Sequence, residues 1–232
     1  MQNQKKCHQN VWILSGTADG PILAERLIKL DYVVFISVVS YKACNAYPLN
    51  SKLHIFTGIL NKKEIRNFIF KHQINFIVDA THPFAINISK NLMSACSDIS
   101  VPFFRFERIS QYKSNVEIIS NFEDINYELI KNKNILLAIG SRALNEVARF
   151  YSDLGANIFA RILATPNSIS KGFSSCINHS QLAILNPSNS KRNNLEAYLC
   201  KYWKIDYILC RDSGGYSQII WDEICLRSNI KL

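Results

Sequence analysis

Along this chain, short apolar runs alternate with segments whose apolar residues recur at helical spacing, so each strand is followed by a crossover that covers it. That alternation demands a parallel sheet. The first two runs, Val11 to Leu14 and Val33 to Val39, are continuously apolar, as strands covered on both faces must be. Between them Gly20-Pro21 opens a helix, and Leu23, Leu27 and Leu30 give it one apolar face. Asn61, with Glu64 three residues on, forms a capping box for a helix striped by Ile65, Phe68 and Ile69. Further strands are predicted at Ile74 to Asp79 and Val101 to Phe106. The helix between them follows Pro83 and carries Ala85, Ile88, Leu92 and Ala95 on one side. The first hundred residues thus hold about four strands, a Rossmann-like half.

From Arg108 to Asn134 the pattern weakens, leaving one short helical candidate at Glu123 to Lys131. The alternation then resumes. Strands are expected at Ile135 to Ile139, Ile158 to Leu163, Leu182 to Leu185 and Ile205 to Cys210, with helices at Arg142 to Tyr151, Asn193 to Tyr202 and Gln218 to Arg227. The expected class is α/β, in two Rossmann-like halves, each a mostly parallel sheet flanked by helices. Residues 1–110 are read as a dinucleotide-binding domain, 111–133 as a connector and 134–232 as a second Rossmann-like domain. One more strand would begin at Lys231-Leu232, so that last strand is read as truncated or disordered.

No apolar run reaches the roughly 20 residues of a membrane-spanning helix, and MQNQKKCHQN lacks the apolar core of a signal peptide; a soluble cytoplasmic protein is expected. The seven cysteines form no C-x-x-C pair and fall mostly among apolar residues, so neither a metal site nor a disulfide framework is expected. A formal charge of +9 suits a polyanionic partner, whether nucleic acid, nucleotide or a substrate with many carboxylates. Lys and Asn are abundant throughout, however, and no short window concentrates basic residues with aromatics, which argues against nucleic acid.

Ligands of open parallel sheets bind at the carboxyl ends of strands, and four such ends are unusual here. ILSGTADGP, Ile13 to Pro21, keeps only Gly20 of a G-x-G-x-x-G fingerprint, with Ser15 and Thr17 in the other glycine places. Gly16 still permits close backbone approach, Thr17 offers a hydroxyl and the helix start offers N–H groups to a phosphate; an ordinary βα turn accounts for the same residues. SVVSYK, Ser37 to Lys42, places Ser40 and Lys42, without an acid, where the adenosine ribose is read. This favours the 2′-phosphate of NADPH over NADH, with a plain surface loop as the alternative. VDATHPFA, Val78 to Ala85, ends a strand on Asp79, Thr81 and His82. Asp79 can accept from backbone N–H groups and orient its neighbours, and no cysteine or serine nucleophile stands beside His82, whose alternative is a structural role. RDSGGYS, Arg211 to Ser217, is a loop of small residues that an anion or flat ring can approach. AIGSRAL and ARILATP add Ser141, Arg142, Arg161 and Thr165; paired arginines suit carboxylates, or are solvated surface.

Taken in order, ILSGTADGPILAERL, TGIL at Thr57 to Leu60, VDATHPFA with the ISKN, AC and VPFFRFER that follow, ILLAIGSRAL, ARILATP and CRDSGG resemble the precorrin-6A reductase family of cobalamin biosynthesis. The resemblance runs nearly the whole chain. It implies an active-site cleft between the two halves and NADPH as cofactor. The reaction it implies is hydride transfer to the C18–C19 double bond of precorrin-6A, free or cobalt-bound, giving precorrin-6B. It also implies that Ser15, Gly16, Thr17 and Asp19 lie against the dinucleotide, where the strand-end reading independently places Ser40 and Lys42. Asp79, Thr81 and His82 would line the reacting centre, with His82 or water as proton donor. Ser141, Arg142, Arg161, Thr165, Asp212, Ser213, Gly214 and Gly215 would hold the carboxylate-fringed tetrapyrrole. Ser15 departs from the family's glycine pair, and Leu185-Asn186-Pro187-Ser188 stands where many members have G-P-F. Three rivals share parts of the pattern. A short-chain-type NADP-dependent dehydrogenase would use Tyr127-x-x-x-Lys131, which lacks the upstream serine context. A non-catalytic nucleotide- or nucleic-acid-binding module would explain the charge alone. A methyltransferase of the same pathway would need an acidic second strand end and a glycine-rich first loop, and both are lacking.

Overall fold

The computed structural model describes residues 9–108, 112, 116–186 and 195–232, and divides into two compact units, Met1–Arg108 and Ile109–Leu232. The first unit holds strands β1 (Asn10–Ser15), β2 (Val33–Val38), β3 (Leu53–Thr57), β4 (Phe76–Ala80) and β5 (Phe103–Arg105). Helices α1 (Asp19–Lys29), α2 (Tyr41–Cys44), α3 (Lys62–Lys71) and α4 (Ile86–Ile99) make the crossovers. All pairings are parallel, in the order β3-β2-β1-β4-β5.

The apolar runs form strands because both faces find cover. Trp12 and Leu14 pack with Phe35, Ile65, Ile69 and Leu92 on one face, while Val11 and Ile13 join Ala24, Val34 and Ile36 on the other. None of Val11, Trp12, Ile13 and Leu14 is more than 3% exposed, and burial of each such side chain contributes about 2 kcal/mol. The buried indole of Trp12 donates to Ser37 Oγ at 2.9 Å, so no polar atom is orphaned there. The Asn61–Glu64 capping box forms: Glu64 N donates to Asn61 Oδ1 at 3.0 Å and Asn61 N to Glu64 Oε2 at 2.7 Å.

Two details differ from the sequence reading. The first unit has five strands rather than four, the extra one being β3 at the sheet edge. Leu30, expected on the apolar face of α1, is 69% exposed, because the helix ends at Lys29 and Asp31, at φ 72°, turns the chain away.

In the second unit a 3-10 turn at Phe122–Asp124 and a short helix α5 (Tyr127–Ile130) precede β6 (Asn134–Ala138), α6 (Leu144–Asp153) and β7 (Asn157–Leu163). Then come α7 (Pro166–Phe173), β8 (Leu182–Leu185), α8 (Leu195–Tyr202), β9 (Tyr207–Cys210) and α9 (Tyr216–Ser228). The parallel order is β8-β7-β6-β9, which repeats the first four positions of the other sheet. Leu136 belongs to the core under α8 and α9, Ile135 and Leu137 to the core under α6. Lys231 makes a parallel bridge to Tyr207 on the outer side of β9, in the position β5 takes beside β4. Burial pushes the thiols of Cys200, Cys210 and Cys225 up to about 12, so they pack as small hydrophobes. Among the described residues no helix is long and apolar enough to cross a membrane, and no group of His, Cys, Asp and Glu is arranged to hold a metal ion.

Candidate active site

In the first sheet the strand order reverses between β1 and β4, and ligands of such sheets bind in the crevice outside those two carboxyl ends. The turns that leave both strands meet there. Thr17 Oγ1 donates to Asp19 Oδ2 at 2.9 Å and lies 3.3 Å from the carbonyl oxygen of Ala80. Gly16 runs so close to the other turn that a side-chain carbon on it would lie 3.6 Å from His82 N and 3.8 Å from Thr81 Cα. Asp19, an acid in the first turn of α1, is neutralised by Arg108 Nη2 at 2.5 Å. Ser15 points the other way. It is 5% exposed, and a carbon added to Gly20 would fall 1.9 Å from its hydroxyl and 2.3 Å from that of Tyr47. Its side chain therefore fills the space under α1, and only glycine fits at position 20.

Asp79, at 0% exposure, accepts from Thr81 N at 3.0 Å, Thr81 Oγ1 at 2.6 Å and Arg105 Nη1 at 2.5 Å. Arg105 Nη1 also reaches Thr81 Oγ1 at 3.1 Å and Ser89 Oγ at 2.8 Å. This knot ties β4, β5 and α4 together and leaves the carboxylate enclosed. The next residue is differently placed. His82 is half-buried, and its Nδ1 accepts from Phe84 N at 3.3 Å, which assigns the proton of a neutral ring to Nε2. Arg105, Arg108 and Ser89 were not singled out in the sequence, although the first two lie in VPFFRFER. Ser40 and Lys42 are exposed at the carboxyl end of β2, on the same edge of the sheet.

The second sheet reverses between β6 and β9, and most of the remaining expected residues leave those strands or β7. Thr165 caps α7, accepting from Ser168 N at 3.3 Å, and Ser168 Oγ lies 2.9 Å from Thr165 Oγ1 and 3.2 Å from Ser141 Oγ. Gln218 braces the loop after β9. Its Oε1 accepts from Ser213 N and Gly214 N, both at 2.6 Å, and its Nε2 donates to Asp212 Oδ1 at 3.1 Å. Arg142 is exposed, and burial, with the Arg142 charge after it, lowers the pKa of Arg211. Arg161 lies within β7, its Nη2 3.7 Å from Glu196 Oε1, and burial lowers its pKa against the pull of Glu196. Pro187 and Ser188 lie outside the described residues.

Residues 10–232 match the model of the Precorrin-6x reductase CbiJ/CobK family. The chain is similar to the cobalt-precorrin-6A reductase of Synechocystis, at 29% identity over 88% of this chain and 79% of that protein. It is also similar to the cobalt-precorrin-6A reductase of Methanocaldococcus jannaschii, at 28% identity over 88% of this chain and 80% of its relative. Among solved structures, a CobK precorrin-6A reductase matches in fold with a TM-score of 0.71, covering 96% of this chain and 86% of that one at 16% identity. With strand order, turn residues and family model in agreement from residue 10 onward, the chain belongs to the precorrin-6x reductase family, CbiJ/CobK.

Proposed function

We propose that this chain is a cytoplasmic enzyme that reduces the C18–C19 double bond of precorrin-6A, or of its cobalt form, with NADPH, giving precorrin-6B in cobalamin biosynthesis. The observation that carries the reading is the meeting of Gly16–Thr17 with Ala80–His82 at the β1/β4 reversal, where an open sheet receives a dinucleotide. The residues present suit that cofactor. Arg108 removes the repulsion Asp19 would exert on a pyrophosphate at the start of α1, and Lys42 with Ser40 offers a cation and a hydroxyl at the ribose end. When bound, NADPH supplies the hydride.

The protein's own share is geometry and a proton. Asp79 acts as a positioning residue: enclosed by Arg105 and Thr81, it fixes the turn that presents His82. Hydride on one carbon leaves the other in need of a proton, and the proposed donor is His82 in its imidazolium form, which returns to the neutral ring. Domain roles follow the same division, with the first unit holding the dinucleotide and the second the tetrapyrrole. Arg142 and Arg211 offer guanidinium forks to its carboxylates, with Ser141, Thr165 and the Asp212–Gly215 loop around them.

Purified protein supplied with precorrin-6A should oxidise NADPH and leave NADH nearly untouched; parallel reactions with the cobalt form identify the preferred substrate. Failure to bind NADPH would return the charge of +9 to a nucleic-acid reading. His82→Ala should slow single-turnover reduction at saturating substrate by about 100-fold. An unchanged rate would assign the proton to water.

A further inference from the structure

Three large apolar side chains stand in solvent at the carboxyl ends of β2 and β3: Val39 is 70%, Tyr41 82% and Ile59 83% exposed. They are neighbours by register. Val38 pairs with Thr57, and Gly58 N donates to the carbonyl of Val38 at 3.0 Å, so the chain just beyond β2 runs beside the chain just beyond β3. The TGIL turn explains how Ile59 comes to face outward. Leu60 packs into the core, while Gly58 adopts φ +139°, with nothing within 4 Å of where a side chain would be, and swings Ile59 away from the sheet. Soluble proteins rarely leave apolar side chains of this size grouped in water unless something covers them.

We propose that Tyr41 and Ile59, edged by Val39, form the seat of the purine ring of a 2′-phosphorylated adenosine, whose phosphate is met by Ser40 and Lys42. This rests on the NADPH reading and adds the residues that hold the base. Three observations select a purine over another apolar partner. The seat lies at the end of β2, where the order β3-β2-β1-β4-β5 puts the adenosine of a dinucleotide. A cation and a hydroxyl flank the aromatic ring within one residue on either side, which suits a phosphate attached to a flat apolar group. The patch also offers one ring and two aliphatic side chains, the size of a base and far short of a protein interface. Tyr41 stacks on the base, Ile59 backs it, and the 2′-phosphate separates NADPH from NADH.

The test is calorimetric titration of the full chain with adenosine 2′,5′-bisphosphate, NADPH and reduced nicotinamide mononucleotide, comparing wild type with Tyr41→Ala, Tyr41→Phe and Ile59→Ser. All three changes are at exposed positions, so the fold is kept. Tyr41→Ala should weaken adenosine 2′,5′-bisphosphate and NADPH by about tenfold, Ile59→Ser by about threefold, and Tyr41→Phe by less than about twofold, with the mononucleotide unaffected. Wild-type affinity for the bisphosphate in Tyr41→Ala, in a protein that binds NADPH, would overturn the seat alone. A wild type that binds neither adenosine compound would overturn the NADPH reading with it.

Discussion

Asp79 is enclosed where no water reaches it, and the cationic side chain that meets it comes from 26 residues further along. Removing the Asp79 carboxylate leaves Arg105, 21% exposed, with the more distant Glu107 Oε1 at 3.6 Å as its remaining acidic partner among the described residues. Asp79→Asn should therefore cost about 3 kcal/mol of stability, seen as a lower urea midpoint at unchanged slope. Arg105→Lys should recover only part of the contact network, because one ammonium cannot reproduce the guanidinium geometry. The stretch from Asp79 to His82 is legible in sequence because an acid, a hydroxyl and an imidazole interrupt an apolar strand. Arg105 and Arg108 are not, since an arginine after a strand is ordinarily solvated and only folding brings it to Asp79 or Asp19. The same limit explains Arg211. Its loop was legible, but which charges come near it depends on strand pairing, and β6 lies between β7 and β9.

Among the elements, α3 is held to its sheet by rings. His72 at its end lies 4.3 Å from Phe68, 4.9 Å from Phe35 and 5.2 Å from Phe56, centroid to centroid. Burial among them lowers the His72 pKa from its ordinary 6.5, and the charges of Lys71 and His54 push the same way. The fold thus prefers the neutral ring: its contribution is fully present above 6.5 and is lost as pH falls toward the lower folded value. Melting temperature should drop between about pH 7 and pH 5, and His72→Phe should flatten that slope. Elements with long apolar runs or a capping box were legible because burial and capping are local patterns. β3 was not, since a five-residue edge strand with no fully buried side chain carries a weak pattern, and α7 begins PNS and contains a glycine, a composition that reads as a turn.

At the scale of the molecule, two sheets share one strand order, so the chain has two reversals, β1/β4 and β6/β9, each lined by the residues argued above. The repetition was legible, and so was the fifth position, which three residues of β5 fill in one sheet and a single bridge from Lys231 in the other. That bridge has a colloidal consequence. An uncovered sheet edge offers its N–H and C=O groups to any neighbouring molecule. Lys231 occupies part of the edge of β9, accepting from Ile208 N at 2.9 Å, with its ammonium 5.5 Å from the ring of Tyr207, and Leu232 accepts from Glu117 N at 3.0 Å. Deleting these two residues should lower solubility before it lowers the melting temperature, measured as light scattering that rises with protein concentration. Two residues would then matter less for holding this molecule together than for keeping its copies apart.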